Sequence, residues 1–248
     1  MTIETAEDLS ELKKIGRIVA VTLQGMIEKT EPGMTTGELD LVGKSLLESY
    51  GARSAPKITY NFPGYTCISI NEEAAHGIPG DRVIQPGDVV NIDVSAEKNG
   101  YFADTGGTFV VPPGNFIKDK LIASTQLALT EACHVARADR PLNEIGKSIQ
   151  KVARQTGFRI IQNLCSHGVG RSLHEEPGEI PGYYVPGDRR ILHEGLVITI
   201  EPFLSTKSRI VSEGSDGWTL TGEPGNLSAQ FEHTMVITKG KPILLTVV

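Results

Sequence analysis

The stretch NIDVSAEKNGYFADTG, residues 91–106, decides the architecture. Asn99-Gly100 is a two-residue turn signal between two strand-like runs, VVNIDV before it and YFADTGGTFVV after it. Such a turn pairs Lys98 with Tyr101, Ser95 with Asp104 and Asp93 with Gly106. Val90, Ile92 and Val94 then face one way, and Asn91 and Asp93 the other. Asp93 and Asp104 come to lie diagonally on one face, about 7–8 Å apart at the backbone. Two unpaired carboxylates on a partly buried face repel and resist ionisation, and cations between them relieve both problems. The alternative is a pair of solvated hairpin charges, and the rest of the chain chooses between the two.

Working outward, Leu12, Ile15, Val19 and Met26 recur at helical spacing over 5–30, with Thr5 and Asp8 placed as cap and first-turn acid. Thr35 and Glu38 have capping-box spacing and open a second helix that runs to about Tyr50 and stops at Gly51. SAPKITYNFPGY (54–65) reads as a loop, TCISI (66–70) as a strand. The second half repeats the plan, with helical segments at about 117–137 and 143–156 and strands at RIIQNL, GLVITIEPFL and SAQFEHTMVIT. PGDVVNID (86–93) matches EGLVITIE (194–201), each ending on an acid, and YFADTGG matches AQFEHTM, each with an acid in mid-strand. Two helices followed by acid-bearing strands, twice in the same order, is an internal repeat. The expectation is a single catalytic domain over 1–248 with halves of about 1–113 and 117–248. Its fold class is α/β (α+β): a pseudo-two-fold repeat with a curved antiparallel sheet, helices outside and a cleft within.

The 248 residues suffice for a sizeable core, and 39% hydrophobic with 22% charged residues is ordinary for a folded protein. With 24 basic and 30 acidic residues, a net charge of -6 and no basic tract, the chain does not read as a nucleic-acid binder. The acidic start MTIETAEDLSELKK has no apolar core of a signal peptide, and no run reaches membrane-span length. Cys67, Cys133 and Cys165 are an odd number in unrelated contexts, which suits a reducing cytoplasm. Asn226-Leu-Ser228 fits the glycosylation pattern but carries no meaning without a secretory route.

The matched strands supply four acids, Asp93, Asp104, Glu201 and Glu232, the last two flanked by large apolar residues. Burying four unneutralised carboxylates would cost several kcal/mol each. CSHGVGRSLHEEPG adds His167, between small residues that permit close approach, and His174 seven positions later. One imidazole with four carboxylates is an N/O ligand set for divalent Mn, Fe, Co or Zn, and spare oxygens can bridge two ions. Carboxylate-bridged metal pairs hydrolyse esters, phosphates or amides. His174, and His76 in the loop-like NEEAAHGIPG, are then candidates to grip a substrate. Other patterns fail. GELDLVGKS (37–45) is one residue too long for a phosphate-binding loop and lies in a helix, and HEEPG is not HExxH. His134, His193 and His233 are expected to be structural or exposed.

With these residues in hand, the chain resembles the short bacterial type I methionine aminopeptidases over its whole length. The resemblance is carried by NFPGYTCISINEEAAHGIPG, VNIDVSAEKNGYFADTGGTF, SHGVGRSLHEEPG, ITIEPF and AQFEHTMVIT. It implies the pita-bread fold and a dimetal site. Asp93 would be a terminal ligand of one ion, His167 and Glu201 would serve the other, and Asp104 and Glu232 would bridge both. Glu201 would also handle the proton of the attacking water, with His174 at the scissile carbonyl and His76 at the scissile nitrogen. Cys67, Phe62 and Trp218 match segments that line the methionine pocket. The implied activity is removal of the initiator methionine from nascent chains when the next residue is small, with the ribosome nearby and a monomeric, cytoplasmic enzyme. Two departures concern Ser166, where the family pattern usually has glycine, and Leu173, where many members carry an aromatic residue. They imply a differently shaped pocket, not a lost ligand. An Xaa-Pro aminopeptidase is the nearest rival, but such enzymes usually carry a substantial N-terminal domain. An inactive peptide-binding relative would be expected to lose ligands, and all five are filled here.

Overall fold

The computed structural model describes residues 1–248. Ala6–Lys29 (α1) begins at a capping box in which the Thr5 hydroxyl accepts from the Asp8 N–H and the Asp8 carboxylate accepts from the Thr5 N–H. Thr35 and Glu38 repeat the device at Thr36–Ser49 (α2). Gly51 follows at φ +67°, a conformation that favours glycine. The segment 54–65 differs from expectation. After the two-residue strand Arg53–Ser54 (β1) it forms the short helix Ala55–Tyr60 (α3), with Ser54 as N-cap, Pro56 in the first turn and left-handed Asn61 closing it. Its signals are caps, because a helix of six residues is too short to show a period.

The strands of the first half are Cys67–Ile70 (β2), Glu73–Ala75 (β3), Val89–Lys98 (β4) and Tyr101–Val110 (β5). Helices Phe116–Val135 (α4) and Asn143–Thr156 (α5) follow. Then come Arg159–Ile160 (β6), Cys165–Gly168 (β7), Glu175–Pro181 (β8), Val197–Ile200 (β9), Phe203–Ser205 (β10), Ser212–Glu213 (β11), Leu220–Thr221 (β12), Ser228–Gln230 (β13), His233–Val236 (β14) and Ile243–Leu244 (β15). Pairing is antiparallel in every ladder. Neighbours run β2-β4-β5 in the first half and β7-β9-β14 in the second. Asn99 and Gly100 both have positive φ, as a tight hairpin turn of this hand requires, and the pairs Lys98–Tyr101, Ser95–Asp104 and Asp93–Gly106 form as expected. Val90, Ile92 and Val94 join one apolar core with Leu12 and Val19 of α1 and Leu39 of α2. A second core sets α4 and α5 against Ile198, Ile200 and Met235.

The second half differs from the expected strands in an instructive way. GLVITIEPFL is not one strand but two, broken at Glu201-Pro202, and SAQFEHTMVIT breaks at Phe231-Glu232. Proline has no N–H to give a ladder, so the pairing stops there. β9 and β14 belong to a five-stranded sheet, whereas β10 and β13 pair in another with β6. Glu201 and Glu232 therefore stand where the chain changes sheets. RIIQNL contracts to the two residues of β6. β8, in the proline-bearing EEPGEIP, was not anticipated; as an edge strand it tolerates Pro177 and Pro181.

Threonines join the two halves. Thr105 Oγ1 donates to the Glu232 carbonyl and Thr108 Oγ1 to the Gln230 carbonyl. Thr234 Oγ1 accepts from the Asp104 N–H and donates to the Asp104 carbonyl, and the Glu232 N–H reaches the Gly106 carbonyl. This seam draws Asp104 and Glu232 together from opposite halves of the chain.

Candidate metal centre

Five side chains converge at the seam. Asp93 and Asp104 come from the middle of β4 and β5, His167 from β7, and Glu201 and Glu232 from the breaks beside β9 and β14. Donor atoms of Asp104, His167 and Glu232 lie within 4.8 Å of one another. His167 Nε2 is 3.4 Å from Glu201 Oε1 and 4.0 Å from Asp104 Oδ2. Its other nitrogen, Nδ1, is 2.9 Å from the Gly168 carbonyl, which can only accept. The proton is thereby held on Nδ1, and Nε2 presents a lone pair to the acids. Gly168 has to be glycine, because a Cβ there would sit 2.5 Å from the Glu176 carbonyl of β8.

The electrostatics demand positive charge. Burial, and then the neighbouring acids, push the Asp104, Glu201 and Glu232 carboxyls well above the carboxylate range. Burial raises Asp93 to about 6 and lowers His167 to about 3. Only three buried side-chain polar atoms in the molecule lack a hydrogen-bond partner, and two of them are Asp104 Oδ1 and Glu232 Oε1. Buried orphan oxygens are rare in native proteins, and both belong to acids of the group that gathers around His167. Oxygen and imidazole donors of this kind fit a pair of divalent ions; nothing in the set resembles a thiolate zinc site. Asp104, His167 and Glu232 thus belong to a dinuclear metal-binding site.

Residues that the sequence reading passed over hold the cluster in shape. Thr199 is fully buried; its Oγ1 accepts from the His167 N–H at 3.2 Å and donates to Glu201 Oε1 at 3.1 Å. Gln230 donates from Nε2 to Glu232 Oε2 at 3.1 Å while its Oε1 accepts from Asn91 Nδ2 at 2.8 Å, which fixes the orientation of the amide. A Cβ at position 106 would sit 2.1 Å from that Gln230 oxygen, so Gly106 makes room for the relay. Ser166 supplies an Oγ that accepts the Glu201 N–H at 2.9 Å. Threonine and glutamine in a strand give no signal of such a role by spacing alone.

A cavity of about 310 Å³ opens over the acids. Asp93, Asp104, His167 and Glu201 line it together with Phe62, Cys67, Trp218, Leu173 and Leu220. The Phe62 and Trp218 rings meet edge to face at 5.2 Å. Asp40 of α2 pins the segment before β2 by accepting the Tyr65 and Thr66 N–H groups and the Thr66 hydroxyl. His76 and His174 line the same cavity and are exposed in it, His76 on left-handed backbone at φ +55°. Burial by the cavity walls lowers both imidazole pKa values. The His174 ring lies against that of His167, centres 4.0 Å apart and planes tilted by 36°, and its Nδ1 is 2.7 Å from the Tyr60 hydroxyl. The other histidines lie elsewhere: His134 and His193 are exposed, and His233 bonds Thr246.

Residues 10–239 match the model of metallopeptidase family M24. The chain belongs to that family. It is 47% identical over 247 residues to methionine aminopeptidase 2 of Bacillus subtilis, covering 99% of each chain. The crystal structure of methionine aminopeptidase from Thermotoga maritima superposes with a TM-score of 0.96 at 32% identity, and that from Rickettsia prowazekii with 0.94 at 33%; each covers 100% of both chains. The fold is the pita-bread fold of family M24. Ser166 contributes a hydroxyl that the Glu201 backbone uses, and Leu173 is a buried residue lining the cavity.

Proposed function

We propose that the protein is a metal-dependent aminopeptidase that removes the N-terminal methionine from nascent proteins and peptides whose second residue is small, and that the five converging side chains are its ligand set. The observation that carries this reading is the buried cluster with two orphan carboxylate oxygens, set under a cavity walled by apolar and aromatic side chains. Asp93 would hold one ion, His167 and Glu201 the other, and Asp104 and Glu232 both. When bound, two such ions supply Lewis acidity and ease the deprotonation of a water at neutral pH. Mn, Fe, Co and Zn all suit these ligands.

The chain's own groups do the rest. Cys67, Phe62 and Trp218 take the methionine side chain, for which polarizable, aromatic-edged walls are suited. Glu201 accepts the proton of the attacking water and passes it to the departing nitrogen. The His174 imidazole donates to the scissile carbonyl oxygen as it gains charge, and His76 orients the scissile nitrogen. We place all of this in one catalytic domain over 1–248 composed of repeat halves of about 1–113 and 117–248. The matched strand orders β2-β4-β5 and β7-β9-β14 support that division. No helix is long and apolar enough to cross a membrane. We place the enzyme in the cytoplasm, as a monomer, acting on chains near the ribosome.

The test is metal content together with hydrolysis of a Met-Gly-led peptide, with Xaa-Pro-led and Lys-led peptides as controls. Two ions per chain and selective release of methionine are expected. Preferential cleavage before proline, or equal rates for Met-led and Lys-led peptides, would refute the reading.

A further inference from the structure

The Tyr60 hydroxyl lies 2.7 Å from Nδ1 of His174, across 114 residues of sequence. Tyr60 is the last residue of α3, and left-handed Asn61 directly after it turns the chain away. The helix ends with the phenol on the wall of the cavity, its ring centre 5.6 Å from that of His174. The hydroxyl has no other partner, and the second ring nitrogen of His174, Nε2, makes no hydrogen bond within the protein.

The polarity of this contact follows from the chemistry of the pair. An imidazole lone-pair nitrogen is a far better acceptor than a phenol oxygen, and a phenolic O–H is a better donor than a neutral imidazole N–H. An ordinary phenol, with a pKa of about 10, keeps its proton at neutral pH. The O–H therefore donates to Nδ1. A neutral imidazole that accepts at Nδ1 carries its proton on Nε2.

We propose that Tyr60 is a positioning residue that fixes His174 in the tautomer whose Nε2–H is free to donate to the scissile carbonyl. The proposal rests on the role given to His174 above. The opposite tautomer would present a lone pair to an oxygen that gains negative charge, and would repel it. His167 is held in the reverse sense, with its proton on Nδ1 by the Gly168 carbonyl. Two neighbouring histidines thus receive opposite tautomers from opposite partners, one to offer a lone pair to a metal ion and one to give a hydrogen bond.

The experiment combines three variants of the zinc-loaded enzyme: Tyr60→Phe, His174→Ala and both together. Tyr60→Phe keeps the ring that walls the cavity and removes only the hydroxyl, at a half-exposed site where folding should not suffer. Nitrogen-15 spectra of the histidine rings should show His174 protonated at Nε2 in the wild type and a mixture of tautomers in Tyr60→Phe. With a Met-Gly-led peptide, kcat should fall about 2–10-fold, the equivalent of one neutral hydrogen bond, with KM and calorimetric metal affinity unchanged. In the His174→Ala background the same substitution should change kcat by less than about 2-fold, because the two residues act as a unit. An unchanged tautomer in Tyr60→Phe, or losses that add in the double variant, would overturn the proposal. A His174→Ala enzyme with wild-type kcat would refute the role assigned to His174 instead, and the ring spectra would still report separately whether Tyr60 sets the tautomer.

Discussion

Neutralising Asp93, one of the five proposed metal ligands, should stabilise this protein when metal is absent. Asp93 has its carboxyl raised by burial from an ordinary 3.8 to about 6. For an acid the raised value penalises the folded state above the unfolded pKa: the unfolded chain ionises first, and stability falls as pH rises through the interval from about 4 to 6. The rise is worth up to about 3 kcal/mol at about 1.4 kcal/mol per pH unit. That is an upper figure, because Asp93 is only half-buried and faces the cavity. His167 works in the opposite sense, since burial lowers it to about 3 and so costs stability as pH falls below about 6.5. A wild-type pH profile alone would mix the two, whereas the difference between metal-free Asp93→Asn and metal-free wild type isolates the carboxylate. The two proteins should unfold alike at pH 4. At pH 7 the variant should be more stable by up to about 3 kcal/mol, or roughly 6–12 °C in Tm for a chain of this size. Calorimetry after exhaustive chelation reads this directly. With metal restored the order should reverse, because the wild type gains a ligand's binding energy that the variant cannot. A metal-free Asp93→Asn protein that is less stable at pH 7, or a difference that does not change with pH, would refute the claim that the fold buries this carboxylate at a cost to its own stability.

Two further substitutions probe the surroundings of the acids. His174→Ala should keep its metal stoichiometry and lose about 10²–10³ in kcat, the scale of one lost oxyanion donor; loss of an ion in direct titration would make His174 a ligand instead. Thr199→Val removes the hydroxyl that ties the His167 backbone to Glu201. It should weaken metal binding about 10–100-fold by calorimetry while the protein stays folded, and unchanged affinity would contradict that bracing role.

Much of this site was legible because its determinants are local. The Asn99-Gly100 turn dictates the hairpin register, and the register alone puts Asp93 and Asp104 on one face. The cap at Thr5 with its first-turn acid and the capping-box spacing at Thr35 announce α1 and α2 by the same logic. What stayed hidden depends on residues far apart in sequence. Nothing near Gln230 indicates that Asn91 will set its amide, nor does the loop-like composition of 54–65 show that a helix ends there on Tyr60 beside His174. The breaks at Glu201 and Glu232 were missed because apolar runs conceal a change of sheet, although Pro202 was the visible sign. Which acids bridge and which terminate came from family resemblance, since patterning supplies four carboxylates without ranking them.

Asp93, Asp104, His167, Glu201 and Glu232 are proposed to share two divalent ions. Anomalous diffraction from crystals of protein loaded with manganese or cobalt tests it most directly. Two peaks should appear about 3–4 Å apart, with Asp104 and Glu232 touching both, Asp93 one, and His167 and Glu201 the other. Five side chains lying beyond ligand distance of two such peaks in a fully loaded crystal would contradict it.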